Sequence, residues 1–190
     1  VIPEIESPGH SRAAIKAMDS RYRKFMKQGN QQEAERYLLR DLNDKSVYFS
    51  AQGWKDNVMC VALPSTYNFM EKVIDELLAI YKDAGAPIST IHIGGDEVAA
   101  NTWMASPLAR KLMEQEGIEG TFGLQSYFMK RIQKMLAERG RKLAGWDEVS
   151  HGGGVDPEGT LLMAWQKPEV GLELAKQGYD VVMTPGQAYY

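Results

Sequence analysis

The run Thr90–Val98, TIHIGGDEV, constrains the fold more than any other stretch of the chain. Thr90, Ile91 and Ile93 are β-branched, and such side chains pack well on a pleated sheet and are stiff in a helix. Gly94-Gly95 ends the strand, because glycine reaches backbone angles that other residues avoid. Asp96 and Glu97 come directly after. The reading is a buried strand that delivers two carboxylates to its C-terminal mouth. In barrels of alternating strands and helices, that mouth is where chemistry is placed.

The remaining residues supply the alternation. Residues 1–5 read as a short strand and 11–27 as a helix, with Ala14, Ile15, Met18, Tyr22, Phe25 and Met26 at three- and four-residue spacing. A second helical piece is expected in 31–39. Residues 40–63 are irregular and rich in Asp, Asn, Lys and aromatics; a loop of that length is either functional or an insertion packed on itself. The clearest helix is 66–83, where Phe69, Met70, Val73, Ile74, Leu77, Leu78 and Tyr81 form one apolar stripe. Further helices are predicted at 105–116, with Ser106 as N-cap and Pro107 in the first turn, at 122–139 and at 168–177. Strands are predicted at 142–146, 160–165 and 180–184. They are short apolar runs, the signature of strands buried on both faces of a parallel sheet. The fold class is α/β, with parallel strands alternating with helices; the pattern alone does not separate an open sheet from a barrel.

Composition narrows the function classes. At 190 residues the chain is long enough for one domain with a real core. A net charge of −3 argues against a nucleic-acid partner, which wants a basic face. No apolar run approaches the ~20 residues of a membrane-spanning helix. The lone Cys60 excludes an internal disulfide and reads as a small buried hydrophobe.

The residues at the strand ends form the informative pattern. Glu6 and His10 come after the first strand, Asp96 and Glu97 after the second, and Trp146, Asp147 and Glu148 close the third. Trp165 and Gln166 close the fourth, and Tyr189 and Tyr190 lie beyond the fifth. In a parallel sheet these ends share one edge, which therefore gathers acids, a histidine and aromatics. That is the make-up of a sugar-binding cleft. Each residue also has a plainer reading. The tryptophans fit a core, His92 fits a satisfied strand interior, and His151 fits a solvated Gly-rich loop. Asp147 and Glu148 fit helix caps, and Asp96 and Glu97 fit a helix N-terminus. In an extended backbone neighbouring residues point to opposite sides, so Asp96 and Glu97 are expected to diverge. They would then not form the facing carboxyl pair, about 5 Å apart, of ordinary retaining glycosidases. They would address two parts of one sugar, which suits hydrolysis in which the substrate brings its own nucleophile.

Six ordered stretches, VIPEIESPGH, ALPSTYNFMEKVIDELL, HIGGDEV, AGWDEV, MAWQ and TPGQAYY, resemble the catalytic barrel of family 20 glycoside hydrolases, the β-N-acetylhexosaminidases, and within them bacterial chitobiase-like members. The resemblance implies part of a TIM (β/α)8 barrel, about strands 3 to 7, with residues 1–190 a partial catalytic domain of a larger enzyme. It implies exo-hydrolysis of terminal N-acetylglucosamine or N-acetylgalactosamine by a substrate-assisted retaining mechanism. Glu97 would be the acid and then the base. Asp96 would hold the 2-acetamido group, and Tyr190 would bond its oxygen. Trp146 and Trp165 would wall the pocket, and His10 would sit near Glu97 in a polar relay. Glu6 departs from the aspartate common in the family. The resemblance implies N-acetylhexosamine glycans as partners, no cofactor, no metal, and a periplasmic or secreted location. The outer strands would be open edges prone to self-association, and the isolated chain is expected to hydrolyse nothing measurable. Two alternatives stay open: a non-catalytic sugar-binding domain, and a metal-dependent barrel hydrolase using His10, His92, Asp96 and Glu97.

Overall fold

The computed structural model describes residues 1–189. Five strands form one sheet in sequence order: β1 (Glu4–Ser7), β2 (Thr90–Gly94), β3 (Lys142–Trp146), β4 (Leu161–Ala164) and β5 (Asp180–Met183). Every pairing is parallel. Helices α1 (Arg12–Lys27), α2 (Gln31–Glu35) and α3 (Pro64–Asp83) lie between β1 and β2, and α4 (Pro107–Glu116) and α5 (Gly120–Glu138) between β2 and β3. A 3-10 segment, Asp147–Gly153, comes after β3; α6 (Pro168–Lys176) joins β4 to β5, and α7 (Gly186–Tyr189) lies beyond β5. The expected α/β alternation is therefore present, and the strand ends all face one way.

One core underlies it. Ile91 and Ile93 of β2 are fully buried, together with Met70 and Ile74 of α3. Leu124, Phe128, Ile132 and Leu136 recur every fourth residue of α5 and are equally buried, so one ridge of that helix seals the sheet. Ser106 caps α4 as expected, its hydroxyl accepting from Ala109 N. Among the described residues no helix is long and apolar enough to cross a membrane.

Some expectations shift. The first strand begins at Glu4, not Val1; Val1 and Ile2 are exposed. Pro3 has no N–H to donate, and only its carbonyl engages β2, accepting from His92 N at 2.9 Å. Between Glu4 and Ser7 the β1–β2 register slips: Glu4 pairs with His92 and Ser7 with Gly94. That is one residue more on β1 than on β2, and the irregularity falls beside Glu6. The helix expected over 31–39 stops at Glu35, and Leu38 and Leu39 leave it for the core. No helix starts at Asp96-Glu97; α4 begins at Pro107, so those acids serve no helix N-terminus.

The irregular segment 40–63 packs on itself. Val58, Met59, Cys60 and Val61 are buried. Trp103 Nε1 donates to Met59 O, and the Tyr48 hydroxyl accepts from Asn57 N and Val58 N. Cys60 is buried as expected, and burial pushes its thiol up to about 11.

Phe128 tests this core most directly. Phe128→Ala opens a cavity in the core beside the Tyr67 ring and is expected to cost about 3–5 kcal/mol, read as a lower urea midpoint with an unchanged slope.

Candidate active site

The site begins with the backbone after β2. Gly94 and Gly95 have φ of 77° and 96°. A Cβ at Gly94 would run into the Glu6 carboxyl and lie 3.1 Å from the Glu6 Cα, and one at Gly95 would meet Val149 Cγ2 at 2.5 Å. Both glycines are thus required by space as well as by conformation. Glu97 then adopts φ 51°, a left-handed conformation that costs a residue with a side chain about 1–3 kcal/mol.

That turn overturns the expected divergence of the acids. The backbone is not extended here, and the two carboxylates converge on one imidazole. His10 Nε2 lies 3.0 Å from Asp96 Oδ2 and 3.4 Å from Glu97 Oε2. His10 therefore sits near Glu97, as the resemblance implies, but its shorter contact is to Asp96. The turn carrying His10 is anchored: Ser11 Oγ donates to Glu6 O and Gly9 O, and Met59 N donates to Pro8 O.

The charges sort themselves out. The hydrogen bond to Asp96 raises His10 to about 9, against the opposing effect of burial. Burial pushes Asp96 up, but the bonds from His10 and Glu6 outweigh it and hold the carboxyl below its usual range. Burial and the Asp96 charge raise Glu6 to about 8. At neutral pH His10 is a cation, Asp96 an anion and Glu6 a neutral acid. Glu6 Oε2 and Asp96 Oδ1 are both buried, and among the described residues neither has a hydrogen-bond partner.

The tryptophans are positioned by a second set of acids. Trp146 Nε1 donates to Glu4 Oε1 at 3.0 Å, and its ring meets His92 edge-on at 5.0 Å. Trp165 Nε1 donates to Glu148 Oε2 at 3.0 Å, and Glu148 Oε1 accepts from Glu97 N at 3.4 Å. Asp147 Oδ2 accepts from Trp165 N and Gln166 N. Burial, then the neighbouring Glu148, raise Asp147 to about 7. Asp147 and Glu148 open a 3-10 segment, yet neither caps it; they hold Trp165 and the turn that carries Glu97 instead.

The other two histidines differ from expectation. His92 is interior, but satisfied on one side only. Its Nδ1 lies 3.0 Å from Glu4 Oε1 and 3.2 Å from Gly94 N, whereas Nε2 has no partner, and burial lowers its pKa. His151 is not freely solvated: its ring packs edge-on to Phe122 at 5.0 Å and its Nδ1 is buried.

These groups enclose a cleft of about 460 Å³ lined by Glu6, His10, Gln52, Asp96, Glu97, Trp146, Trp165 and Gly186. Gly186 N donates to Trp165 O at 2.7 Å, which seats α7 on the rim. Tyr190 lies outside the described residues. Sequence reasoning missed Gln52, which arrives from the irregular segment with no local motif, and gave Glu148 no role in the site. The resulting cleft has an ionised acid beside a cation, a second carboxyl with one oxygen unengaged, and two indole faces. It can bind a ring and move a proton. His10, Asp96 and Glu97 also offer atoms within 4.8 Å of one another that could hold a metal ion, and His92 is not among them. A protonated His10 is a donor to Asp96 rather than a ligand.

These shifts make stability depend on pH. Glu6 and His10 both have folded-state pKa values above their ordinary ones, of 4.5 and 6.5. The stability from Glu6 is complete below its ordinary value and lost as pH rises through about 8; that from His10 is lost through about 9. Urea midpoints are expected to fall across pH about 5 to 9, and Glu6→Gln to flatten the decline below about pH 8. An unchanged slope in the variant would show that the Glu6 carboxyl is not held neutral here.

Known proteins resemble this chain in sequence and in fold. A β-hexosaminidase of Vibrio vulnificus is 40% identical over 202 residues, spanning 100% of this chain and 24% of the relative. An N,N'-diacetylchitobiase of Vibrio harveyi is 30% identical over 224 residues, spanning 97% of this chain and 25% of the relative. The crystal structure of a GH20 exo β-N-acetylglucosaminidase from Vibrio harveyi, in complex with N-acetylglucosamine, superposes with a TM-score of 0.81 at 36% identity, over 98% of this chain and 26% of that one. This chain thus spans about a quarter of the length of the curated relatives it matches. Such structures are TIM barrels, and the five-stranded sheet is part of that architecture. Residues 1–190 match the glycosyl hydrolase family 20 catalytic domain along their whole length, and the chain belongs to that family.

Proposed function

We propose that this chain supplies the catalytic centre of an exo-acting β-N-acetylhexosaminidase that removes terminal N-acetylglucosamine or N-acetylgalactosamine with retention. The observation that carries the proposal is the convergence of Asp96 and Glu97 on His10 in the cleft walled by Trp146 and Trp165. A sugar ring presents apolar faces to the indoles. Glu97 gives its proton to the glycosidic oxygen as the C1–O bond breaks. The oxygen of the substrate's 2-acetamido group supplies the electron pair that forms the new bond to C1, giving an oxazolinium ion. Asp96, kept ionised by protonated His10, accepts from the acetamido N–H and steadies the positive charge on that ring. Water then attacks C1, the C1–O bond of the oxazolinium breaks with its electron pair returning to the acetamide, and Glu97 takes the water's proton, which returns the acid to its starting state.

His10 in this scheme acts first on Asp96 and only second on Glu97. Neutral Glu6 adds no charge beside Asp96. Tyr190 is assigned to the acetamido oxygen on the family resemblance, as is a site of action in the periplasm or outside the cell. For the isolated chain we propose self-association through β1 and β5, each of which has one edge unpaired in the sheet.

The test uses the full-length protein that carries this chain. Glu97→Gln is expected to lower kcat on a nitrophenyl N-acetylglucosaminide by about 10²- to 10⁴-fold while N-acetylglucosamine still binds. Asp96→Asn is expected to lose turnover without rescue by any metal, and chelator treatment to leave the wild type unchanged. A wild type that binds the sugar and cleaves nothing would favour the sugar-binding alternative; loss of activity on chelation would favour the metal-dependent one.

A further inference from the structure

Gln52 reaches the cleft from neither a strand end nor the turn after β2. It sits at the tip of a tight turn: Ser50 N donates to Trp54 O at 2.9 Å, Gly53 N to Ser50 O at 2.8 Å, and Trp54 N to Ser50 Oγ at 3.0 Å. Gly53 takes the φ of 78° that closes the turn, and Ser50 at its base is buried. The far side is clamped as well. The Arg12 guanidinium lies over the Trp54 ring at 4.0 Å and pairs with Asp56 at 2.8 Å. A solvent-facing side chain is thereby held by both flanks, and its Nε2 donates to Glu97 Oε2 at 2.9 Å.

The choice of oxygen matters. His10 Nε2 approaches the same Oε2, at 3.4 Å. Among the described residues no hydrogen bond reaches Glu97 Oε1. Donors gathered on one oxygen favour charge there, so the proton of the neutral acid resides on the other. Resting on the hexosaminidase reading, we infer that Gln52 is a positioning residue for the leaving-group half of the reaction: it pins Oε2 and presents Oε1–H to the glycosidic oxygen. In that step the Oε1–H bond breaks and its proton passes to the departing oxygen. The electron pair of the C1–O bond goes with that oxygen, and the acetamido oxygen fills the vacancy at C1. Glu97 is left a carboxylate, its Oε2 already met by Gln52 and His10.

A residue that only orients the acid matters only where the leaving group needs a proton. The experiment compares wild type, Gln52→Ala and Gln52→Asn in the full-length protein on two substrates. N,N'-diacetylchitobiose expels a basic sugar alcohol, whereas 2,4-dinitrophenyl N-acetylglucosaminide expels a phenolate that leaves unprotonated. Both variants are expected to lose about tenfold in kcat on the disaccharide and less than about twofold on the dinitrophenyl substrate, with KM nearly unchanged and thermal midpoints equal to wild type. Gln52→Asn retains the amide but is one methylene short, so it separates reach from polarity. Equal losses on both substrates, or loss on neither, would overturn the inference while wild-type turnover leaves the hexosaminidase reading standing. A wild type inert to both substrates would overturn the two together.

Discussion

The site depends on a backbone turn that only glycine permits. Gly94 and Gly95 swing the chain off β2 through left-handed conformations, and Glu97 lies in the same region. The consequence is electrostatic. Two adjacent carboxylates, which a strand would aim apart, end beside one imidazole. Side chains larger than hydrogen at either glycine would strike Glu6 or Val149, so the packing around the turn and the course of the turn are the same constraint.

Crowding acids in a half-buried cleft is unfavourable unless their charges are divided. Here geometry divides them. Asp96 keeps its charge because His10 is its cation, and Glu6 gives up its own because burial and Asp96 both oppose ionisation. The absence of a side chain at Gly94 leaves room for the Glu6 carboxyl. A second group of acids holds the walls: Glu148 ties the Trp165 indole to the Glu97 amide, Asp147 fixes the Trp165 backbone, and Glu4 holds Trp146. Trp165 and the turn that carries Glu97 are therefore mechanically joined. Displacing Trp165 would be felt at Glu97 through a single carboxylate.

The irregular stretch between α2 and α3 resolves into two parts. Residues 58–61 are core, held by Trp103 and by the loop that carries His10. Residues 50–54 form a self-bonded turn that brings Gln52 to the acid. The long loop is thus packed on itself and also lines the candidate cleft.

The alternation of buried strands and amphipathic helices is legible in the residues alone, and so is the gathering of Glu6, His10, Asp96, Glu97, Trp146 and Trp165 on one edge. Periodicity and β-branching are local properties, and parallel pairing puts every strand's C-terminal end on the same side. The family likeness added roles to those residues. The convergence of Asp96 and Glu97 was not legible, because it turns on the φ of one glutamate, and local pattern does not encode it. The same holds for His92, left half-satisfied under Trp146, and for Glu148 and Gln52. The Glu97 atoms they reach lie 51 and 45 residues away in the chain, and long-range contacts of that kind are chosen by packing and not by neighbouring sequence.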